Sequence, residues 1–220
     1  MRAATRLLAF ELEMMAAELE LGLAFSASVE FLRPTQPGAL STRPKTERKG
    51  RRVSVLSNAL HQGDVVTARA SVCFIKPADV PEVQPPEIAS HQPETLSALP
   101  PKKAIHGLPW MMDNFEVRPA PDGIIWFRYI EDLVEDMTPM ARVLGPADWT
   151  HGLGRPSQPK LADPNINLQV VLSRHPGDAF IGIRPNTTWM PTGIGMGSGT
   201  LFDQQGVFGK VQMSVALTQT

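Results

Sequence analysis

Seven prolines fall between residues 77 and 104: Pro77, Pro81, Pro85, Pro86, Pro93, Pro100 and Pro101. That density is incompatible with a regular helix, which loses a hydrogen bond at each proline, and with a central strand, whose ladder needs every N–H. The stretch therefore reads as an extended linker. It divides the chain of 220 residues into two near-equal halves, each the size of a small folding unit.

The first half begins with a helical pattern over residues 3–21, where Leu7, Phe10, Met14 and Leu21 share one face and Gly22 supplies a stop. The period then changes to two. Phe25, Ala27, Val29 and Phe31 alternate with Ser26, Ser28, Glu30 and Leu32 up to Arg33-Pro34. Two further alternating runs follow, Val53 to Ala59 and Val66 to Phe74, around the turn residues His61-Gln62-Gly63-Asp64. Cys73, the single cysteine, falls opposite Val72 and Phe74 with no local Cys or His partner, and reads as a packing residue. Residues 42–52 carry six basic side chains against Glu47. A solvated strand pair and turn is the plainer reading of that run; a patch meeting the phosphates of a nucleotide-bearing ligand is the sharper one, and a nuclear signal a weaker third.

The second half opens with short strands around 114–118 and 124–130, joined by Pro119-Ala120-Pro121-Asp122-Gly123. Thr138-Pro139 is a helix start, cap followed by proline at the first position. Met140, Val143, Leu144 and Ala147 give the buried stripe, and Gly145-Pro146 is expected to bend or interrupt it. Four strand patterns follow: 166–172, 180–189, 194–202 and 207–217. In the last of them Val207, Gly209, Val211, Met213, Val215 and Leu217 share one face, and Lys210, Gln212 and Ser214 the other. The glycine run 192–200 is followed by a strand pattern rather than a helix. It is read as a bulged, closely approached strand and not as a dinucleotide loop.

The halves match in order: a helix, then four antiparallel strands ending in a tight hairpin. Their first strands close on similar phrases, VEFLRPTQPG (29–38) and VVLSRHPGD (170–178). A helix laid on an antiparallel sheet, duplicated in one chain, buries both helices and pairs the two sheets edge to edge. The expected class is thus α+β, with residues 1–76 as one repeat, 77–104 as linker and 105–220 as the second repeat. A net charge of −1 gives no field for nucleic acid, and no apolar run reaches the length of a membrane span. The glutamates of the first helix exclude a secretory core, and the last three residues match no retention or peroxisomal address, so the cytoplasm is the expected compartment. His151 and His175 lack the companions of a metal site, and none is expected. Trp110, Met111, Met112, Trp126 and Trp149 read as core, some of them lining an apolar channel.

Six phrases in this order resemble the double hotdog proteins of the acyl-CoA thioesterase-like family, type II thioesterase class: SVEFLRPTQPGAL, KGRRVSVLSNALHQGDVVTARASVCF, FEVRP, GPADWTHGLGRP, NINLQVVLSRHPGDAFIGI and GSGTLFDQQGVFGKVQMSVAL. The resemblance implies a double hotdog fold and hydrolysis of acyl-CoA by a water held and activated by an Asp, a Thr or Ser, and a Gln, with CoA as part of the substrate and no separate cofactor. By motif these fall on Asp148, Asn165 and Gln212 as catalytic residues; Asn165 stands where the family has Thr, and Asn167 where it commonly has Asp. Asn167, Trp149 and Gln62 are assigned to substrate binding. A carboxylate can take a proton from water while amides orient that water toward the carbonyl carbon. The family also has a strand and a Gly-rich approach before its first helix, so the first repeat is expected to lack an element. A homo-oligomer formed through the hotdog sheets is a further expectation. Asn165 and Asn167 leave two other readings open: a non-catalytic module that binds acyl-CoA or a partner chain, and a hydratase built on Asp148 and His151.

Overall fold

The computed structural model describes residues 2–81, 96, 99, 114–131, 136–153 and 161–219. Most of the predicted linker, with Trp110, Met111 and Met112, lies outside the described residues. The first repeat contains α1 (Arg2–Glu18), β1 (Leu23–Phe31), β2 (Ser41–Thr42), β3 (Lys45–Arg48), β4 (Val53–Gln62) and β5 (Val65–Ile75). The second contains β6 (Phe115–Pro119), β7 (Ile125–Tyr129), α2 (Pro139–Ala147), the short α3 (Thr150–Leu153), β8 (Leu161–Ala162), β9 (Asn167–Leu172), β10 (Ile181–Trp189), β11 (Ile194–Asp203), β12 (Gly206–Ala216) and β13 (Thr218–Gln219).

One antiparallel sheet runs through both repeats in the order β2-β4-β5-β1-β9-β12-β11-β10-β7-β6, with β3 also paired to β4. The repeats meet where β1 and β9 pair, from Ser26 opposite Val171 to Glu30 opposite Asn167. The two strands that end in the matching phrases are therefore partners, and the expected edge-to-edge joining of the sheets is what forms. The fold is the α+β double hotdog. Pro185 is tolerated inside β10 because β7 pairs only with Ile181 to Ile183, so no ladder bond is required of it on that side.

Both helices lie on one face of the sheet. Ala27, Val29, Leu168 and Val170 at the seam, with Val72, Val211 and Met213 further out, point into the core beneath them. α1 packs on β4 and β5, and Asn58 of β4 ties it down by donating to Glu11 Oε2 at 2.8 Å. α2 packs beside α1, and α3 rests on β10, β11 and β12. Leu96 of the connecting segment packs on the opposite face, against Ile124, Trp126 and Phe202. No helix among the described residues is long and apolar enough to cross a membrane.

α2 continues through Gly145 and Pro146 to Ala147, instead of breaking there. A proline removes the N–H that would bond the carbonyl four residues earlier, here that of Arg142. The Tyr129 hydroxyl takes over, donating to Arg142 O at 3.0 Å. Gly145 makes this approach feasible, since a Cβ there would lie 2.0 Å from the Tyr129 hydroxyl. Removing that hydroxyl in Tyr129→Phe leaves a carbonyl of a buried helix without its partner, which costs about 1–3 kcal/mol. The expected result is a lower urea midpoint at unchanged slope; an unchanged midpoint would mean that water serves Arg142 O equally well.

Candidate active site

Asp148 sits at the C-terminal end of α2, where its own N–H still bonds Leu144 O and the chain turns into α3. Its side chain is only 1% exposed. Asn165 reaches the same place from the strand side: its backbone forms an isolated bridge with Val215 of β12, and its amide Nδ2 donates to Asp148 Oδ1 at 2.5 Å. Two residues that the motifs assign to one site are thus joined directly, and both are buried. A carboxylate has room for about four hydrogen bonds, so holding the amide does not exhaust it.

Gln212 is elsewhere. Along β12 the buried and exposed residues alternate strictly from Lys210 to Val215, and Gln212 is on the exposed side. Its Nε2 donates to Gln169 Oε1 of β9 at 2.5 Å, on the sheet face away from the helices. The side chain that β12 offers to the inner face is Met213, whose Sδ lies 3.2 Å from His151 Nδ1. Alternation fixes this outcome, because a strand residue and its neighbour necessarily point to opposite faces. Asn167 shares the outer face with Gln212. Its Oδ1 accepts the Ser214 N–H at 2.7 Å, and both side chains line a surface groove of about 410 Å³ with Ser28, Glu30 and Gln169.

Trp149 is half-buried against the main core, next to Asp148. Gln62 is at the end of β4, with β5 and β1 between it and β9. It is engaged by Gln36, donating to its carbonyl at 2.9 Å and accepting its N–H at 3.2 Å, so it fastens the segment after β1. Cys73 is half-buried, and burial pushes its thiol up, away from the thiolate a nucleophile would need.

The fold adds Asp163, which the sequence reading passed over, to His151, which that reading weighed only as a metal ligand or a hydratase partner of Asp148. His151, one helical turn on, is 4% exposed, and its Nε2 lies 3.8 Å from Asp163 Oδ2. The signal for this neighbourhood was the glycine run. Gly195, Gly197 and Gly199 all face inward along β11. A Cβ on Gly197 would lie 2.9 Å from Met213 Cγ and 3.1 Å from His151 Cβ, and one on Gly199 would lie 3.2 Å from Thr150 Cγ2. The glycines are where α3 comes down onto the strand, as the reading of a closely approached strand requires.

What results is a buried carboxylate oriented by an amide, with an imidazole–carboxylate pair nearby, at the end of a helix in a double hotdog. Residues 2–75 match the family model of the acyl-CoA thioesterase N-terminal domain. The crystal structure of the acyl-CoA thioesterase II TesB2 from Mycobacterium marinum is similar over 100% of this chain and 90% of its own, with a TM-score of 0.76 at 15% identity. A hot dog fold protein of unknown function from Alicyclobacillus acidocaldarius is similar over 90% of this chain and 80% of its own, with a TM-score of 0.68 at 16% identity. The tesB protein of Mycobacterium avium subsp. paratuberculosis covers 93% and 83%, with a TM-score of 0.65 at 16% identity. At such identities the structures speak for the fold alone. No curated protein matches the sequence significantly. The first repeat thus matches an acyl-CoA thioesterase domain, and over its length the chain shares the fold of these structures.

The close seating of α3 is open to test. Gly197→Ala places a methyl group against Met213 and His151, an overpacking that costs about 1–3 kcal/mol. The exposed neighbour Met196, changed to Ala, is expected to stay within about 0.5 kcal/mol. Equal urea midpoints for the two variants would show that helix and strand are not in contact at this point.

Proposed function

We propose that the protein hydrolyses acyl-CoA thioesters, with Asp148 as general base. The observation that carries this reading is the buried hydrogen bond from Asn165 to Asp148, which fixes one carboxylate oxygen and orients the group. A water held at this carboxylate gives up a proton to it as the water oxygen attacks the thioester carbonyl carbon. The tetrahedral intermediate then collapses, the carbon–sulfur bond breaks, and the thiolate takes the proton, leaving a free acid and CoA. Burial favours the step, since a carboxylate acts more strongly in a site from which bulk water is excluded.

Gln212 has no part in this scheme, because its side chain is on the other face of the sheet from Asp148. The same finding favours the second reading, a module that binds acyl-CoA without turnover. Where the resemblance calls for an amide on β12, the inner face offers the thioether of Met213.

Thiol release from short, medium and long acyl-CoAs distinguishes the two. Asp148→Asn keeps an oxygen to accept the Asn165 amide but removes the base, and is expected to lower kcat by about 10² or more with little change in KM. Gln212→Ala is expected to turn over at the wild-type rate. Binding of acyl-CoA without thiol release from any of them would establish the non-catalytic module, and a large loss in Gln212→Ala would return that side chain to the mechanism.

A further inference from the structure

We propose that Glu13, in the first repeat, is a positioning residue for Asp148 in the second: it clamps the start of the helix whose other end delivers the carboxylate. Glu13 is on α1 and only 8% exposed. Its Oε1 accepts the Met140 N–H at 2.9 Å, its Oε2 accepts the Ala141 N–H at 3.0 Å, and the Thr138 hydroxyl donates to Oε2 as well. These are the donors at the opening turn of α2, the groups that a helix leaves unsatisfied at its N-terminus.

Thr138 is the N-cap residue by position, yet its side chain makes no cap bond within its own helix. The hydroxyl turns instead to Glu13, 125 positions earlier. α2 has no acidic residue in its first turn, so Glu13 supplies the negative charge that the positive end of the helix dipole attracts. Burial pushes the Glu13 carboxyl above its usual range, while these three bonds and the nearby His175 pull it down. The fold keeps a carboxylate in an unfavourable place because the helix start requires one.

α2 has nine residues, too few to hold a helix unaided and only about 14 Å long. Its position is set from outside: by Glu13 at the start, and by Tyr129 at Arg142 O further along. Arg6 of α1 lies over the Tyr129 ring at 4.4 Å, so the second clamp also leans on the first repeat. A shift of the helix start therefore carries through to Asp148, whose N–H is still bonded to Leu144 O. Displacements of this kind matter because a carboxylate about 1 Å out of place can lose 10²-fold in rate.

The catalytic part of this inference rests on the reading of Asp148 as the base; the structural part does not, and the two are measured separately. In Glu13→Gln one acceptor of the pair becomes a donor, so the Met140 and Ala141 N–H groups cannot both be satisfied. Val72→Ala, under the first repeat and away from α2, serves as the control for general destabilisation. In the full-length protein, NMR of the Asn165 side-chain amide, assigned by its loss in Asn165→Ser, reports the bond to Asp148. Hydrogen exchange at Met140 and Ala141 reports the helix start.

Glu13→Gln is expected to speed exchange at both amides by about tenfold or more, to move the Asn165 side-chain signal toward that of a solvated amide, and to lower kcat about tenfold at constant KM. Val72→Ala is expected to do none of these. Faster exchange with the Asn165 signal unmoved would reduce Glu13 to a helix cap and overturn the proposal, as would the same shift in Val72→Ala. If the wild type releases no thiol, the hydrolase reading fails, and the amide signals still decide the role of Glu13.

Discussion

The pairing of β1 with β9 is the constraint on which the rest of the molecule depends. A lone helix on a four-stranded sheet leaves a strand edge open and a helix half covered. Joining two such units through their first strands closes that edge and makes one helix-bearing face. It also fixes which groups meet across the repeats. With α1 and α2 side by side, a carboxylate of one helix reaches the N-terminus of the other, and an arginine of the first repeat covers a tyrosine of the second. The candidate base of the second repeat thus sits in a frame to which the first repeat contributes.

Buried polar groups are expensive to hold, and three of those on that face are matched. Asp148 takes the Asn165 amide, Glu13 takes three donors, and His151 lies between a thioether and the Asp163 carboxylate. Unmatched, any of them would cost more than a typical mutation removes from a domain of this size.

Much of this was legible in the sequence. The periods of the strands, the break at the prolines and the matching phrases 29–38 and 170–178 were enough for the repeat and its sheet, and the motif GPADW led to Asp148. The fold aims Gln212 away from Asp148, and the reason was itself in the sequence: Gln212 shares parity with Lys210 and Ser214, not with Val211 and Met213. A motif that names a residue and an alternation that aims it disagreed, and the alternation, being a matter of geometry, prevailed. Other features had no local signal. That α2 passes through Pro146 depends on a hydroxyl from β7, and the capping of Thr138 depends on a residue 125 positions away. Such partners are chosen by topology, which no window of neighbouring residues contains.

The glycine lane of β11 has a further consequence for how this scaffold can vary. Where side chains separate a helix from a sheet, exchanging a large residue for a small one moves the two layers and resizes whatever lies between them. At Gly197 and Gly199 no side chain remains to be trimmed, so α3 already rests on main chain. The floor beneath Thr150 and His151 is a hard stop. Any change in the spacing of α3 and the sheet has to come from positions other than these glycines.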